Sequence, residues 1–171
     1  MSRATLVRAG GTAAVIGGVL RAAASFAPDL GSDVALQALY FTVDLFLILG
    51  LLGFFELRHE DVGLPGASGF LVALVGLQIV RSSRAVPGID LYPGGALAFT
   101  VGLIVLSGAA WKAHTLAGWV PAALVLSLLA GIVAAVLNAP FLFALSGVTF
   151  GLAFAGLGLE TRSAARPLRT G

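Results

Sequence analysis

The chain consists almost entirely of long apolar stretches separated by short polar breaks. A membrane-spanning helix needs about 20 mostly apolar residues, and dividing the chain at its charges, prolines and polar clusters leaves six such stretches. They cover residues 9–27, 34–55, 62–80, 91–111, 116–137 and 140–159. The breaks between them are PDLGSD, ELRHED, RSSRAVPGI, KAHT and NA. Because connections this short join antiparallel neighbours, we predict a single all-α domain, a transmembrane helical bundle of three hairpins.

The composition favours a lipid bilayer over water as the surroundings of this chain. Of the 171 residues, 58% are hydrophobic and 11% are charged, and the mean hydropathy is +1.02. A soluble domain carries roughly twice that share of charge, and a body this small has too much surface to hide so many apolar residues. The apolar runs are continuous, whereas the strands of a membrane barrel alternate in polarity. Nine arginines beside one lysine, with abundant alanine, glycine and leucine, suggest a bacterial cytoplasmic membrane.

Two features of the apolar pattern leave alternatives open. The two-residue break NA precedes Pro140, which is also compatible with a kink in one long helix and a total of five spans. The first stretch follows Arg3 and Arg8, as the apolar part of a signal peptide follows basic residues. Since Arg21 interrupts that apolar run, we expect the segment to remain as a first span.

Basic residues in the connections predict the orientation, because cytoplasmic connections are enriched in lysine and arginine. With the amino terminus inside, the inner set is Arg3, Arg8, Arg58, Lys112, Arg162, Arg166 and Arg169, and the outer set is Arg81 and Arg84. This bias of seven to two predicts that both termini are cytoplasmic and that the number of spans is even. Trp111 and Trp119 flank an inner connection, where interfacial aromatic residues are expected.

The sequence lacks the common motifs of enzymes and metal sites. It contains no cysteine, Walker loop, HExxH or GxSxG, which excludes thiolate metal sites and cysteine nucleophiles. His59 lies among charged residues at 56–61 that include metal-ligand types, but a solvated charged loop accounts for them. We therefore predict no metal and no cofactor. The basic residues are scattered over connections and termini, which disfavours nucleic-acid binding.

Arg21 and Asp44 lie inside predicted spans, where a charge costs about 2.5 to 3.5 kcal/mol and usually faces a protein interior. Arg21 is about 9 Å from the outer end of the first span, and Asp44 is about 15 Å from the outer end of the second. Arg21 leans inward and Asp44 outward, because helical side chains point toward their own amino terminus. A salt bridge within the first hairpin is therefore predicted. An enzyme is disfavoured, since Asp44 is the only carboxylate deep in a span.

Further polar residues extend this region toward the outer membrane surface. Gln37, Tyr40 and Asp44 are spaced i, i+3, i+7 and so share one face of the second helix, and a comparable stripe lies at the outer end of the third. The predicted outer polar cluster consists of Arg21, Gln37, Tyr40, Asp44, Gln78, Arg81 and Arg84. Its net positive charge suits a polar or anionic small molecule. In the alternative interpretation, Arg81 and Arg84 are interface anchors, and Arg21 with Asp44 is a structural pair.

Glycine accounts for 23 residues and falls at small-residue spacings, as in the GVTFG run Gly147–Gly151. Glycines let helix backbones approach closely in lipid, which favours packing within the chain, with contact between copies as the alternative.

The segments YFTVDLFLILGLLGFFELRHE, GASGFLVALVGLQIV and WKAHTLAGWVPAALVLSLLAGIVAAVL resemble the broad group of uncharacterised small six-span proteins of bacterial inner membranes. The resemblance is compositional and implies no catalytic residues.

Two functions are consistent with these features. The first is a carrier or small-ligand-binding membrane protein that uses the outer polar cluster. The second is a structural or accessory subunit of a membrane complex, whose glycine-rich faces pack against a partner.

Overall fold

Five helices make up most of the residues that the computed structural model describes, which are 3–26, 33–82 and 90–165. They are α1 (Arg3–Ala24), α2 (Asp33–Ser82), α3 (Tyr92–Lys112), α4 (Trp119–Leu137) and α5 (Pro140–Ala164). No strand occurs within these three ranges. The prediction of an all-helical chain is therefore confirmed for them. All five helices are long and apolar enough to cross a membrane.

Helix α2 differs from the prediction, because its 50 residues join the second and third expected spans. The sequence predicts a connection at residues 56–61, but these residues are helical. Glutamate, leucine and arginine favour helix, and Arg58 forms an ion pair with Asp61 at 3.5 Å, three residues later. The regular backbone is interrupted at Gly63, where φ is 57° and ψ is −159°. Two helical segments therefore meet at Gly63 within α2.

The boundary between α4 and α5 is a true helix break. Asn138 adopts the left-handed conformation with φ of 48°, and Ala139 is extended with φ of −100° and ψ of 99°. Pro140 then begins α5, at a position where its missing N–H has no helical partner to lose. The alternative of one long kinked helix at this point is thus wrong. The five-helix count arises instead from continuity through residues 56–61.

The chain divides into two compact units. Unit 1 consists of Met1–Leu57 and Ala122–Gly171 and contains α1, the first part of α2, most of α4 and all of α5. Unit 2 is Arg58–Pro121 and contains the remainder of α2 together with α3.

In unit 1, α1 packs against α2 and α5 through two neighbouring glycine faces. A Cβ at Gly10 would lie 2.5 Å from the Cα of Gly53, so only glycine permits this approach of α1 to α2. A Cβ at Gly18 would collide with the Gly151 carbonyl oxygen and lie 2.6 Å from the amide nitrogen of Ala155 in α5. A Cβ at Gly17 would lie 3.0 Å from the Phe46 Cβ of α2. Both contacts run antiparallel, since later residues of α1 meet earlier residues of its neighbours.

Hydrogen bonds between backbone and side chain join α4 to α5. Ser127 Oγ donates to the Ser146 carbonyl at 2.9 Å, and Ser146 Oγ donates to the Ser127 carbonyl at 2.8 Å. This reciprocal pair satisfies two hydroxyl donors that would otherwise meet an apolar environment. The largest fully buried side chains of unit 1 are Phe54, Phe154, Leu51, Leu124 and Leu157.

Unit 2 contains an antiparallel helix pair of the same kind. A Cβ at Gly76 of α2 would collide with the Phe99 amide nitrogen and lie 2.8 Å from the Gly95 carbonyl oxygen in α3. Two turns earlier in α2, a Cβ at Gly69 would lie 2.8 Å from the Gly102 carbonyl oxygen. The side chains of Ala73, Leu77, Leu103 and Leu106 are buried along this pair.

Candidate functional site

Arg21 is the member of the outer polar cluster whose surroundings are best defined. It is half-buried near the end of α1, and its Nη1 donates to Ser25 Oγ at 3.3 Å. A Cβ at Gly147 of α5 would lie 3.1 Å from the same Nη1, so the guanidinium packs directly over that glycine. Ser25 Oγ in turn donates to the Arg21 carbonyl at 3.1 Å. Arg21 therefore places a positive charge against α5, with a hydroxyl as its hydrogen-bond partner.

Gln37, Tyr40 and Asp44 all lie on the first part of α2, on one face as predicted. Asp44 is half-buried and has an interaction partner, whereas Gln37 and Tyr40 are exposed. The face of α2 that touches α1 contains Phe46, two residues from Asp44. Leu47, which shares a helix face with Asp44, also lies against α1, with its amide nitrogen 3.3 Å from the Cβ position of Gly17. The Arg21–Asp44 salt bridge stays a prediction.

The remaining members of the outer polar cluster belong to unit 2 or lie beyond the described residues. Gln78 and Arg81 are exposed at the end of α2. Arg84 lies outside the described residues. The assembly of all seven residues into one pocket therefore stays a prediction.

A second polar site, which the sequence patterns did not indicate, lies in unit 1. A cavity of about 420 Å³ is lined by Arg8, Thr12, Leu159, Arg162 and Ser163, and we call it the two-arginine cavity. Arg8 and Thr12 are one turn apart on α1, and Leu159 is one turn from both Arg162 and Ser163 on α5. Each helix thus contributes a single stripe, and the antiparallel packing of α1 on α5 brings the two stripes together.

The level of the two arginines follows from the glycine contacts. A Cβ at Gly11 would lie 2.7 Å from the Arg162 Cγ and 3.0 Å from the Gly158 carbonyl oxygen. The aliphatic stem of Arg162 therefore covers Gly11, and Arg8 precedes Gly11 by less than one turn. The two guanidinium groups consequently extend from the same level of the α1–α5 pair.

The two hydroxyl groups of the cavity bond to their own helices. Thr12 Oγ1 donates to the Arg8 carbonyl at 2.9 Å, and Ser163 Oγ donates to the Glu160 carbonyl at 2.9 Å. A hydroxyl keeps its lone pairs in such a bond and can rotate to donate elsewhere. Among the residues that the structure describes, neither Arg8 nor Arg162 forms an ion pair. The cavity thus presents two positive charges and two hydroxyls to whatever enters it.

Sequence reasoning missed this cavity because its two halves are about 150 residues apart. The spacing of Arg8 and Thr12, and of Leu159, Arg162 and Ser163, matches a helical stripe. That pattern alone does not identify which helix faces which. The contact between α1 and α5 supplies this information.

The charged residues at 56–61 form ion pairs. Arg3 pairs with Glu56 at 3.2 Å, Arg58 with Asp61 at 3.5 Å, and His59 lies 3.6 Å from Glu60. Within the described ranges, no three histidine or acidic side chains converge as a metal site would require.

No family model, curated protein or solved structure matches this chain. Its function must therefore be inferred from its own residues and helices.

Proposed function

We propose that this protein crosses a bacterial cytoplasmic membrane six times, with both termini in the cytoplasm. The support comes from the antiparallel contact of α1 with α5. If each of five helices crossed once, the first and the fifth would run in the same direction. The antiparallel contact is accounted for if one helix crosses twice, and α2 is the candidate, since its 50 residues would extend about 75 Å against a hydrocarbon core of about 30 Å.

The exposed surface of α4 supports the same proposal. Only 22% of its most apolar window is buried, although that window has a mean hydropathy of 2.6. Its exposed large apolar side chains are Val125, Leu126, Leu129, Ile132, Val133, Val136 and Leu137. A soluble protein rarely exposes a continuous apolar face of this extent, whereas lipid chains cover it at no cost.

Single cysteines test this topology without background, because the chain has none. Glu60→Cys and Thr170→Cys should react with a membrane-impermeant maleimide only after cells are opened, and Ser82→Cys should react in intact cells. Reporter fusions after Arg58 and Gly171 should report the cytoplasmic side, and a fusion after Ile89 should report the outer side. In a five-crossing chain with the amino terminus inside, residues 82 and 170 would exchange sides, which would refute the six-crossing proposal.

For activity, we favour binding of a small anionic or polar molecule at the outer polar cluster, in a carrier or receptor. The observation that supports it most directly is the half-buried guanidinium of Arg21, which is hydrogen-bonded to a neutral hydroxyl. A charge in an apolar span usually marks a ligand site or an ion pair. An anion bound beside Arg21 would compensate its charge.

A double-mutant cycle separates ligand binding from the alternative of a structural Arg21–Asp44 pair. A structural pair would give a coupling energy of more than about 0.5 kcal/mol between Arg21→Leu and Asp44→Leu. Coupling below this value would favour ligand binding over a structural pair. We also expect mass spectrometry of protein extracted from native membranes to find a small anion that Arg21→Gln no longer retains and Arg81→Gln retains more weakly.

The second candidate function, a structural subunit, predicts a different result. Wild-type protein extracted in mild detergent would then retain a stoichiometric partner protein and no small anion. Strong Arg21–Asp44 coupling together with such a partner would overturn the ligand-binding proposal.

A further inference from the structure

The two-arginine cavity lies at the opposite end of α1 from Arg21 and is independent of the outer polar cluster. Arg8 and Arg21 are separated by 13 residues on one helix, which is about 20 Å along its axis. The predicted orientation places Arg8 and Arg162 at the cytoplasmic surface of the membrane, where the anionic headgroups of phospholipids are concentrated.

We propose that the two-arginine cavity binds a phosphate-bearing group, held between the guanidinium groups of Arg8 and Arg162. Guanidinium groups present paired N–H donors that match the oxygens of a phosphate, and two of them attract the negative charge of a phosphate monoester or diester. Thr12 and Ser163 also line the cavity and can add two hydroxyl groups. The volume of about 420 Å³ lies within the range of small-molecule sites.

Among the described residues, no ion pair neutralises the positive charges of Arg8 and Arg162 in the cavity. The nearby carboxylate of Glu56 is already paired with Arg3 at 3.2 Å. Glu160 lies two residues before Arg162, which places it about 160° around α5 from that arginine. The Arg162 stem packs against α1 at Gly11, and among the described residues its guanidinium forms no ion pair.

The apolar wall of the cavity favours a lipid as the source of the phosphate. Leu159 is 57% exposed and lines the cavity beside the arginines. An anionic phospholipid would place its phosphate between the arginines and an acyl chain along Leu159. A soluble phosphate ester shares the phosphate chemistry and does not require the apolar wall.

Thermal unfolding of the full chain, purified in a neutral detergent, tests this site and separates the two sources. The probes are dioctanoyl phosphatidylglycerol, dioctanoyl phosphatidylcholine, glycerol 3-phosphate and inorganic phosphate. We expect phosphatidylglycerol to raise the unfolding temperature in a saturable manner, with phosphatidylcholine having no comparable effect. High salt should weaken the effect, because the attraction is largely electrostatic.

The diagnostic variant is Arg8→Gln combined with Arg162→Gln, which keeps part of each stem and removes both charges. We expect each replacement to weaken the apparent affinity about tenfold, since hydrogen bonds to charged groups contribute that much. Lys112→Gln removes one exposed positive charge from the end of α3, outside both proposed sites, and serves as the control. Arg8→Lys with Arg162→Lys retains the charge and should bind with intermediate affinity, which keeps the test valid if the glutamine variant is unstable.

The outcomes are unambiguous. Stabilisation that the glutamine variant loses supports a phosphate site. If phosphatidylglycerol is the stabilising probe, the source of the phosphate is a lipid. If only glycerol 3-phosphate or inorganic phosphate stabilises the protein, the source is a soluble phosphate compound. Equal stabilisation by phosphatidylcholine, no stabilisation by any probe, or full retention in the glutamine variant would overturn the proposal. None of these results depends on whether Arg21 binds a ligand.

Discussion

The two units contain the same packing device in different settings. In unit 1, Gly11 and Gly18 of α1 face Gly158 and Gly151 of α5, and in unit 2, Gly69 and Gly76 of α2 face Gly102 and Gly95 of α3. Every one of these pairs is spaced by seven residues, which returns each glycine to nearly the same side of its helix. Both pairs are antiparallel, and in both the backbones approach so closely that a Cβ would collide with backbone atoms.

The difference lies in what surrounds each glycine stripe. Helix α1 has a second stripe, Gly10 and Gly17, against α2, so it packs closely on two sides. Arginine side chains also lie over glycines of unit 1, with Arg162 over Gly11 and Arg21 over Gly147. The described glycine contacts of unit 2 involve apolar side chains and backbone. Close packing by itself thus indicates stability, whereas the cationic side chains beside the packed glycines make unit 1 the candidate for function.

The largest expected effects come from filling the glycine contacts. Gly18→Leu should destabilise the protein by about 3 kcal/mol or more, because the colliding atoms are backbone and cannot move aside. Gly76→Leu should cost somewhat less, since its helix is packed by glycine on one side. Unfolding by SDS titration in mixed micelles measures both. Gly108→Leu is the control, because no described atom lies within 4 Å of its Cβ position, and equal losses in all three would contradict this account.

A smaller effect is expected at Gly63, where the helical backbone of α2 is interrupted within unit 2. Gly63 has φ of 57° and ψ of −159°, a conformation that residues with a Cβ avoid, so Gly63→Ala should cost about 1 to 3 kcal/mol. Crowding is not the cause, because the nearest atom to the new Cβ would be Pro65 Cδ at 3.9 Å. Gly108→Ala should instead be stabilising by up to about 1 kcal/mol, as alanine favours helix. The same SDS titration measures the loss of stability at Gly63 and the gain at Gly108. An unchanged stability in Gly63→Ala would contradict the claim that this backbone conformation requires glycine.

The serine pair of unit 1 allows a finer comparison with a serine of unit 2. Ser127→Ala or Ser146→Ala removes one hydrogen bond between α4 and α5, for an expected loss of about 0.6 kcal/mol and at most about 1.7. Ser107→Ala should change stability less, since Ser107 Oγ bonds the Ile104 carbonyl of its own helix at 3.3 Å. A larger loss at Ser107 than at Ser127 would show that helix-to-helix bonds do not distinguish the units.

The smallest effects should come from the ion pairs. Arg3 and Glu56 are 51% and 40% exposed, so Glu56→Gln should cost less than about 1 kcal/mol. In unit 2, Asp61→Asn removes a pair three residues apart on one helix, worth about 0.2 to 0.5 kcal/mol. Unfolding measured at low and high salt should show both losses shrinking as salt rises. A salt-independent loss at either position would indicate a role other than charge pairing.

Much of the fold was predictable, because apolar stretches of span length and short polar breaks restrict a chain to long helices. The boundaries of α3, α4 and α5 lie close to the predicted ones, and Asn138 and Ala139 do separate two helices. The helical path through residues 56–61 was not predictable from their charge, since charged residues suit an exposed helix as well as a connection. The glycines spaced by seven were visible in the sequence, but their spacing does not name the partner helix.

The candidate sites likewise include features that the sequence predicts and features that only the tertiary structure shows. The sequence by itself determined that Arg21 is a charge within an apolar stretch and that Gln37, Tyr40 and Asp44 share a helix face, because both facts follow from helical periodicity. Only the tertiary structure decided that Arg21 lies over Gly147. It alone brought Arg8 to the level of Arg162, from the two ends of the chain. Local order along a helix depends on neighbours in sequence, whereas the pairing of helices depends on which close-packed surfaces fit.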